Sequence, residues 1–403
     1  MCVNEMCANE IERNETVRKV YLDHAATTPV RPEVVEIMSE YMLEVYGNPS
    51  SVHSFGREAR KAVDKAREQV ANLIGAGPEE IVFTGGGTEA DNLAIKGIAE
   101  AQAKKGNHII TSAIEHHAVL HTCEYLEKHG CKVTYLPVDS DGLVDPGDVK
   151  KAITPQTVLV TIMTGNNEVG TIQPVKEIGA IARERGVLFH TDAVQATGQI
   201  PIDVREMNID LLSGSGHKMY GPKGIGILYV RKGVKISPVI HGGAHERRRR
   251  AGTENVPGIV GLGKAAELSM AELPERQANL VHLRDRLIDG ILERISEVKL
   301  NGHRTRRLPN NCNVSIKYIE GESMLLNLDM VGIAASSGSA CTSGSLEPSH
   351  VLLAMGVPHE IAHGSLRMTL GRQNTDEDVD YVMQVLPSIA KKLREMSPLY
   401  SRG

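Results

Sequence analysis

A single lysine lies inside a glycine- and serine-rich segment, SGSGHKMYGPKGIG, which covers residues 213–226. Glycine lets a backbone approach another group closely, and a lysine in such a segment is either solvated or a reactive amine held over a ligand. The segment makes Lys218 a candidate for forming an imine with an aldehyde. Other polar groups in the chain have to decide between these two interpretations.

Four further groups of polar residues each follow a predicted strand. They are Gly87 with Thr88, His116 with His117, Asn166 to Glu168, and Asp192 with Gln195. The segment GGGTEADNLAIKG opens a predicted helix at Gly87 and Thr88, where backbone N–H groups and a hydroxyl form an anion site. Chemistry in α/β sheets collects at the carboxyl ends of strands, so we expect the groups to meet at one edge.

The elements that must position these residues alternate between strands and helices. The predicted strands are 80–84, 108–112, 132–138, 157–163, 187–193 and 226–230. A helix is predicted over 56–75, because Val63, Ala66, Val70 and Leu73 share one face and Gly75 can end it. This alternation predicts an α/β fold with a mainly parallel sheet and helices on both faces.

The pattern changes after about residue 257. The elements predicted there are two long helical stretches over 259–296, strands over 313–316, 333–337 and 365–371, and a helix over 375–395 that Thr375 caps. We therefore expect a large domain over 16–260 and a smaller α+β domain over 261–403, which the arm 1–15 joins.

Composition excludes several classes of protein. The chain has 403 residues, 41% of them hydrophobic and 24% charged, which is typical of a globular protein. A formal charge of -5 argues against general binding to nucleic acid or to an anionic membrane surface. No apolar run approaches the roughly 20 residues of a membrane span, and residues 1–15 are too charged for a secretory signal. We expect a cytoplasmic protein with reduced cysteines.

A nicotinamide cofactor is one alternative for the glycine-rich segment. Gly85, Gly87 and Ala90 match a short dinucleotide fingerprint, which predicts an acidic residue about 20 residues later. Glu115 lies 28 residues after Gly87 and beside two histidines, so the match is poor. A P-loop is excluded, because no Gly-Lys-Ser or Gly-Lys-Thr follows a glycine at the required spacing.

Metal and nucleic acid are weaker alternatives. His117 and His121 are four residues apart on one helical face, and His241 and His245 flank two glycines and an alanine, but neither pair has a third ligand of known position. We therefore predict no metal site. Residues 247–250 are four arginines, which in an acidic chain favour an interface or a phosphate patch over nucleic acid.

One cofactor uses everything that these groups offer. Pyridoxal phosphate needs an anion pocket for its phosphate, a carboxylate for its ring nitrogen, a flat partner for its ring face and an amine for its aldehyde. Gly87 and Thr88, Asp192, His116 and Lys218 supply residue types suited to these four tasks. The sequence therefore predicts a pyridoxal phosphate site.

The chain also carries an ordered series of segments that resembles the cysteine desulfurases of the NifS/IscS type, in the class-V aminotransferase family. The segments are YLDHAATTP, GNPSSVHSFG, FTGGGTEADNLAIKG, EHHAVL, NNEVGTIQP, HTDAVQATG, SGSGHKMYGPKGIG, HGGAHERRRRAGT, SSGSACTSGSLEPS and SLRMTLGR. The resemblance covers residues 21 to about 400. It implies a homodimeric fold-type-I enzyme, with a seven-stranded sheet in its large domain, that converts L-cysteine to L-alanine and leaves a persulfide on a cysteine.

The resemblance also implies a role for each matching residue around the cofactor ring. Lys218 corresponds to the lysine that bonds the aldehyde and later moves protons, and Asp192 to the acid beneath the ring nitrogen. Gln195 corresponds to the residue that bonds the ring hydroxyl. His116 corresponds to the imidazole that stacks on the ring and serves as an acid or base for sulfur release. His117 receives no role.

Other roles implied by the resemblance concern the phosphate and the substrate. Residues that match the phosphate cradle are Gly87, Thr88, Ser215 and His217, with Thr253 reaching it from the neighbouring subunit. Asn167, which also belongs to the expected cofactor set, and Arg367 match the groups that hold the substrate carboxylate. Arginine suits this task because its planar fork pairs with a carboxylate through two hydrogen bonds.

Cys341 lies in SSGSACTSGSLEPS, whose small polar residues predict a mobile loop. Mobility would let a thiolate take sulfur at the cofactor and carry it outward. The length of the loop resembles that of the IscS-like group, which implies delivery to an iron–sulfur scaffold protein of the IscU type or another acceptor. A cluster bridged by Cys341 and the scaffold is a further expectation.

Two alternatives to a cysteine desulfurase remain open. One is a related lyase or aminotransferase that acts on selenocysteine or another amino acid. The other is a partner-binding subunit without catalysis, although retention of Lys218, Asp192, His116 and Cys341 together argues against it. The departures from the family pattern are GGGTEA, the four arginines, and an N-terminal arm with Cys2 and Cys7.

Overall fold

The computed structural model describes residues 18–337, 348–398 and 400. Its strands are Val20–Tyr21 (β1), Ile81–Thr84 (β2), His108–Ser112 (β3), Lys132–Leu136 (β4), Thr157–Thr161 (β5), Leu188–Asp192 (β6), Leu211–Ser215 (β7), Gly226–Val230 (β8), Val298–Leu300 (β9), Asn311–Ile316 (β10), Ile333–Ala334 (β11) and Ser365–Thr369 (β12). Its helices are Pro32–Leu43 (α1), Ser54–Leu73 (α2), Gly87–Ala101 (α3), His117–Glu127 (α4), Pro146–Ala152 (α5), Val175–Glu184 (α6), Val256–Arg294 (α7), Gly321–Met330 (α8), His350–Ala354 (α9), His359–Ala362 (α10) and Asp376–Met396 (α11). Cys2, Cys7 and Cys341 lie outside the described residues.

Seven strands form one sheet in the order β2-β8-β7-β6-β5-β3-β4. Neighbouring strands from β7 to β4 are parallel, whereas β8 pairs antiparallel with both β7 and β2. The prediction of an α/β fold with a mainly parallel sheet of seven strands is confirmed. Apolar side chains fill both faces of the sheet, and Ile109, Ile110, Leu159, Val160 and Phe189 are fully buried. Helices cover such a sheet on both sides, which explains its continuous apolar strands.

Two smaller sheets lie apart from the large one. Strands β12, β10 and β9 form an antiparallel sheet, and β1 pairs parallel with β11. A hydrophobic core of its own includes Leu287 from α7, Val314 from β10, Leu366 from β12 and Leu386 from α11. The predicted domain boundary between residues 260 and 261 falls inside α7 and stays a prediction.

Helix ends largely follow the local signals in the sequence. Gly75 follows α2 with φ +68°, a left-handed conformation that favours glycine after a helix. Thr375 caps α11, and the Asp378 side chain accepts a hydrogen bond from the Thr375 N–H.

Helix α7 differs from the expectation of two stretches, because it runs through Pro274 without a break. None of the helices in the described residues is long and apolar enough to cross a membrane.

A buried ion pair holds the segment between β8 and α7 against α2. The Arg67 guanidinium donates to both Glu246 carboxylate oxygens at 2.7 and 2.8 Å, and the Phe83 N–H donates to Glu246 at 3.1 Å. Three consecutive residues here, Glu246, Arg247 and Arg248, have left-handed φ values of 44°, 54° and 66°. Residues other than glycine rarely adopt this backbone conformation, so the ion pair holds a strained backbone in place.

This ion pair predicts a large loss of stability when one partner is removed. Glu246→Ala leaves the Arg67 charge buried without its carboxylate, and we expect the free energy of unfolding to fall by about 3–5 kcal/mol. Urea unfolding followed by circular dichroism measures it. Lys264→Ala, which removes the surface pair with Glu267, is the control and costs about 0–1 kcal/mol. Equal stability of the two variants would contradict the assignment.

Candidate active site

A cavity of about 280 Å³ lies at the carboxyl ends of the parallel strands. Ten of the predicted site residues line it: Gly87, Thr88, His116, Asn167, Asp192, Gln195, Ser215, His217, Lys218 and Arg367. A more open cavity of about 750 Å³ adjoins it, and Gly87, Thr88, Ser215 and His217 line both. Two of the predicted site residues are not part of this group. Thr253 is exposed and outside the lining, and Cys341 lies outside the described residues.

Lys218 enters the cavity from the short helical turn that follows β7. Its Nζ donates to the carbonyl oxygens of Ala25 at 2.5 Å and Ala26 at 2.7 Å. The Gln195 side chain donates to the same Ala25 oxygen at 2.9 Å. The backbone oxygens of residues 25 and 26 therefore hold both side chains on one side of the cavity.

Asp192 is the last residue of β6, and its side chain is 6% exposed. Its Oδ1 accepts a hydrogen bond from the Val194 N–H at 2.9 Å. Burial raises the pKa of this carboxyl, while His116, the Val194 N–H and Lys218 oppose the rise. The site thus places a carboxylate in an apolar environment with cationic or proton-bearing neighbours, where a protonated ring nitrogen would find a strong partner.

His116 is the N-cap residue of α4, and its Nδ1 accepts a hydrogen bond from the Ala118 N–H at 3.1 Å. In the neutral ring, the proton must therefore be on Nε2. Burial lowers the pKa of His116, and Asp192 opposes this effect. The imidazole is consequently neutral at physiological pH and offers an N–H toward the cavity.

The residues predicted to hold the phosphate lie at two places: at the start of α3, and at the end of β7 with the turn that follows it. His217 is held by Thr27, whose hydroxyl lies 3.2 Å from Nδ1, and its carbonyl oxygen accepts from the Thr28 N–H and hydroxyl. Burial, with Lys218 and Lys223 nearby, lowers the pKa of His217 to about 4. A neutral imidazole and the N-terminus of α3 are both suited to donate hydrogen bonds to an anion.

Arg367 reaches the cavity from β12 and is 4% exposed. Its Nη1 donates to the Asn167 carbonyl oxygen and its Nη2 to Asp23, each at 3.0 Å. The Nε atom is buried and has no hydrogen-bond partner among residues 18–337 and 348–398. A buried donor of this kind is costly unless a ligand satisfies it, so the guanidinium is prepared for an anionic group.

Two buried carboxyl groups support the loops around the cavity. Glu115 accepts from the Ser112 hydroxyl at 2.6 Å and from the Met163 N–H, and burial raises its pKa to about 8. The Ser349 hydroxyl donates a hydrogen bond to the Glu168 carboxyl. Burial raises the pKa of Glu168 to about 7, although the hydrogen bond from Ser349 and the charge of Arg367 oppose this rise. Glu115 therefore fixes the backbone at Met163, and Glu168 contacts the residue that caps α9.

Asp91 is a site residue that sequence analysis did not identify. It lies in α3 one turn after Thr88, lines the 280 Å³ cavity and is 1% exposed. Three possible metal-binding atoms lie within 4.8 Å of one another: a carboxyl oxygen of Asp91, a ring nitrogen of His116 and a carboxyl oxygen of Asp192. This spacing is short enough for a shared metal ion. The expectation of no metal therefore stays a prediction. The spacing of Thr88 and Asp91 on one helical face was the available signal.

Comparison with known proteins identifies the family. The model for the class-V aminotransferases matches residues 20–382. A relative from Methanosarcina thermophila, named cysteine desulfurase IscS, is 63% identical over 95% of this chain and 94% of its own length. The chain belongs to the class-V aminotransferases, among the cysteine desulfurases.

Solved structures from the same family agree with this assignment. A NifS-like protein matches with a TM-score of 0.88 and 42% identity, over 93% of this chain and all of its own. SspA, solved in complex with cysteine, matches with a TM-score of 0.78 and 41% identity over 87% of this chain and 99% of its own. The resemblance and the fold type predicted from the sequence are confirmed.

Pyridoxal phosphate is the cofactor of this family, and the cavity fits it. A Cβ atom at Gly87 would lie 2.6 Å from the Val194 side chain and 3.7 Å from Ser215, so a side chain at this position would intrude into the cradle. Lys218 supplies the amine, Asp192 the buried carboxylate and His116 the flat partner that the group requires. The residues present therefore suit the cofactor.

The raised pKa of Glu115 predicts a pH-dependent stability. The folded carboxyl titrates at about pH 8 and the unfolded one near its ordinary value of 4.5, so unfolding releases a proton between these limits. Stability from this group therefore falls as pH rises. Between about pH 5 and 8, we expect the free energy of unfolding of Glu115→Gln to rise relative to that of wild type by up to about 1.4 kcal/mol per pH unit.

Urea unfolding at closely spaced pH values measures this difference. Glu293→Gln, at an exposed carboxyl, is the control for loss of a side-chain charge. A difference between Glu115→Gln and wild type that stays constant with pH would show that Glu115 is ionised in the folded state.

Proposed function

We propose that the protein is a pyridoxal-phosphate-dependent cysteine desulfurase. The net reaction converts L-cysteine and the thiol of Cys341 to L-alanine and a persulfide on Cys341. The C–S bond of the substrate breaks, a new S–S bond forms, and the substrate carbon gains the proton that the thiol loses. The observation that carries the proposal is that Lys218, Asp192, His116 and Arg367 meet in one cavity of a chain whose relatives are named cysteine desulfurases.

When bound, pyridoxal phosphate supplies a protonated ring that withdraws electrons from the substrate carbon atoms. Asp192 would hold the proton at the ring nitrogen, and burial would strengthen this interaction because little water screens it. The Gly87 and Thr88 N–H groups at the start of α3 would hold the phosphate. Ser215 and His217, which line the same cavity, would also bind the phosphate, and Gln195 would bond the ring hydroxyl.

Arg367 binds the carboxylate of L-cysteine. Its Nε is a buried donor that no group in the described part of the chain satisfies, and its contacts to Asp23 and to the Asn167 backbone fix the plane of the guanidinium. The Asn167 side chain lines the same cavity and adds an amide donor. SspA, at 41% identity, was solved with cysteine, which supports the same substrate here.

Lys218 and His116 handle protons in this proposal. The Lys218 amine, which lines the cavity, would move a proton between substrate carbon atoms. His116 carries its proton on Nε2, because Nδ1 accepts the Ala118 N–H, and this proton is available to the sulfur side of the substrate. Cys341, which lies outside the described residues, then receives the sulfur.

The assembly and the partners of the enzyme are further proposals. We propose a homodimer in which Thr253 of one subunit completes the phosphate cradle of the other, supported by the exposure of Thr253 beside the strained segment at Glu246. The IscS name of the relatives supports an iron–sulfur scaffold protein as acceptor, with Cys341 and the scaffold able to bridge a cluster. A cytoplasmic location belongs to the same proposal.

Substitution of Cys341 tests the function directly. With L-cysteine and a reductant, the wild-type enzyme is expected to release sulfide and L-alanine in equal amounts. Without reductant, peptide mass spectrometry should find one added sulfur on Cys341. Cys341→Ser should release sulfide at least about 100-fold more slowly, because the nucleophile that takes the sulfur is missing.

The control is Cys131→Ser, which alters a half-buried thiol away from the cavity and should retain the wild-type rate. If Cys341→Ser and Cys131→Ser release sulfide equally fast, the persulfide route through Cys341 is wrong. If the wild-type enzyme forms no alanine from cysteine, the desulfurase proposal itself is wrong.

A further inference from the structure

The cavity contains a second buried carboxyl group for which the proposed reaction has no task. Asp91 lies in α3 three residues after Thr88, so it faces the same cavity from one turn deeper. It is 1% exposed, and its Oδ1 is buried and has no hydrogen-bond partner within the described residues. An ionised carboxylate in this state would be costly, because burial removes its hydration and this oxygen accepts no hydrogen bond from those residues.

The imidazole next to Asp91 supplies no positive charge to compensate it. Its neighbour His190 lies with Nε2 3.7 Å from Oδ1, but burial lowers the pKa of His190 to about 3 and keeps the imidazole neutral. The two ring nitrogens of His190 lie 2.8 Å from the Thr161 hydroxyl and 3.0 Å from the Ser213 hydroxyl. This buried polar chain beneath the cavity floor is therefore uncharged and favours a neutral Asp91.

Asp192 has partners of its own. Its carboxylate accepts a hydrogen bond from the Val194 N–H and lies near Lys218 and His116. One carboxyl oxygen of Asp91 lies within 4.8 Å of one carboxyl oxygen of Asp192. Two carboxylates this close in a low dielectric cannot both be charged, so one proton is retained by the pair. Burial and Asp192 raise the pKa of Asp91 well above its usual range, and hydrogen bonding by Ser213 opposes this.

We propose that Asp91 is a positioning residue that carries a proton and directs it toward Asp192, which leaves Asp192 as the charged group beneath the cofactor ring nitrogen. The neutral carboxyl acts through Asp192 alone and touches neither substrate nor the reacting atoms. Donation toward Asp192 makes its carboxylate less basic. The ring nitrogen therefore keeps its own proton instead of losing it to Asp192. The inference rests on the proposed binding of pyridoxal phosphate.

The test compares two variants of the holoenzyme loaded with pyridoxal phosphate labelled with ¹⁵N in the ring. Asp91→Asn keeps a neutral donor of the same shape, and Asp91→Ala removes it. We expect the ring-nitrogen NMR resonance of Asp91→Asn to match wild type and that of Asp91→Ala to move toward the unprotonated position. With cysteine, kcat of Asp91→Ala should fall about 10- to 100-fold with little change in KM.

The matched control is Glu80→Gln, which converts a buried carboxyl outside both cavities to an amide and should leave the resonance unchanged. A wild-type resonance in Asp91→Ala would overturn the proposal. So would an equal shift in Asp91→Asn and Asp91→Ala, because it would mean that a charge on Asp91 is what matters.

Infrared spectroscopy keeps the proposal testable if Asp91→Ala fails to fold. The difference spectrum of wild type minus Asp91→Asn should contain the carbonyl band of one protonated carboxylic acid, and its absence would overturn the proposal. The infrared measurement needs no cofactor. If the wild-type chain binds no pyridoxal phosphate, the proposed function fails, while the protonation of Asp91 is still decided separately.

Discussion

The site depends on one buried charge, the carboxylate of Asp192. At 6% exposure it has lost most of its hydration, and removing a carboxylate from water costs several kcal/mol unless partners replace the water. The chain supplies one backbone N–H and the nearby Lys218 and His116. We propose that a protonated ring nitrogen completes this set. The same energetic constraint makes Asp192 selective for a protonated ring, because an unprotonated ring nitrogen would leave its carboxylate without its strongest partner.

The fold meets this constraint with parallel strands whose carboxyl ends share one edge. Register places Asp192 of β6 opposite Ser213 of β7, two residues before the Ser215 that lines the cradle. The lysine follows within the next turn, so carboxylate and amine are held by neighbouring strands of one rigid sheet. Arg367 comes from a different sheet, and its contacts to Asp23 and Asn167 join the second core to the cavity.

Much of this arrangement could be predicted from the sequence, because the signals are local. The strands 108–112 and 226–230 were predicted to the residue, and polar residues after buried strands pointed to the cavity. The contributions of Ala25 and Ala26 could not be predicted, because they act through backbone oxygens that no side chain marks. Asp91 was missed because a polar residue inside an amphipathic helix ordinarily faces solvent. One helix was found where two stretches were predicted over 259–296, because tertiary packing overrides the low helix propensity of Pro274.

We expect Lys218 to bond the aldehyde of pyridoxal phosphate while Asp192 faces the ring nitrogen. Borohydride reduction makes such a bond permanent, so tryptic peptide mapping of the reduced protein by mass spectrometry locates it. We expect one pyridoxyl group per chain, attached to Lys218, and a loss of the yellow colour. Attachment to a different lysine, or a chain that remains unmodified with the cofactor bound, would contradict it.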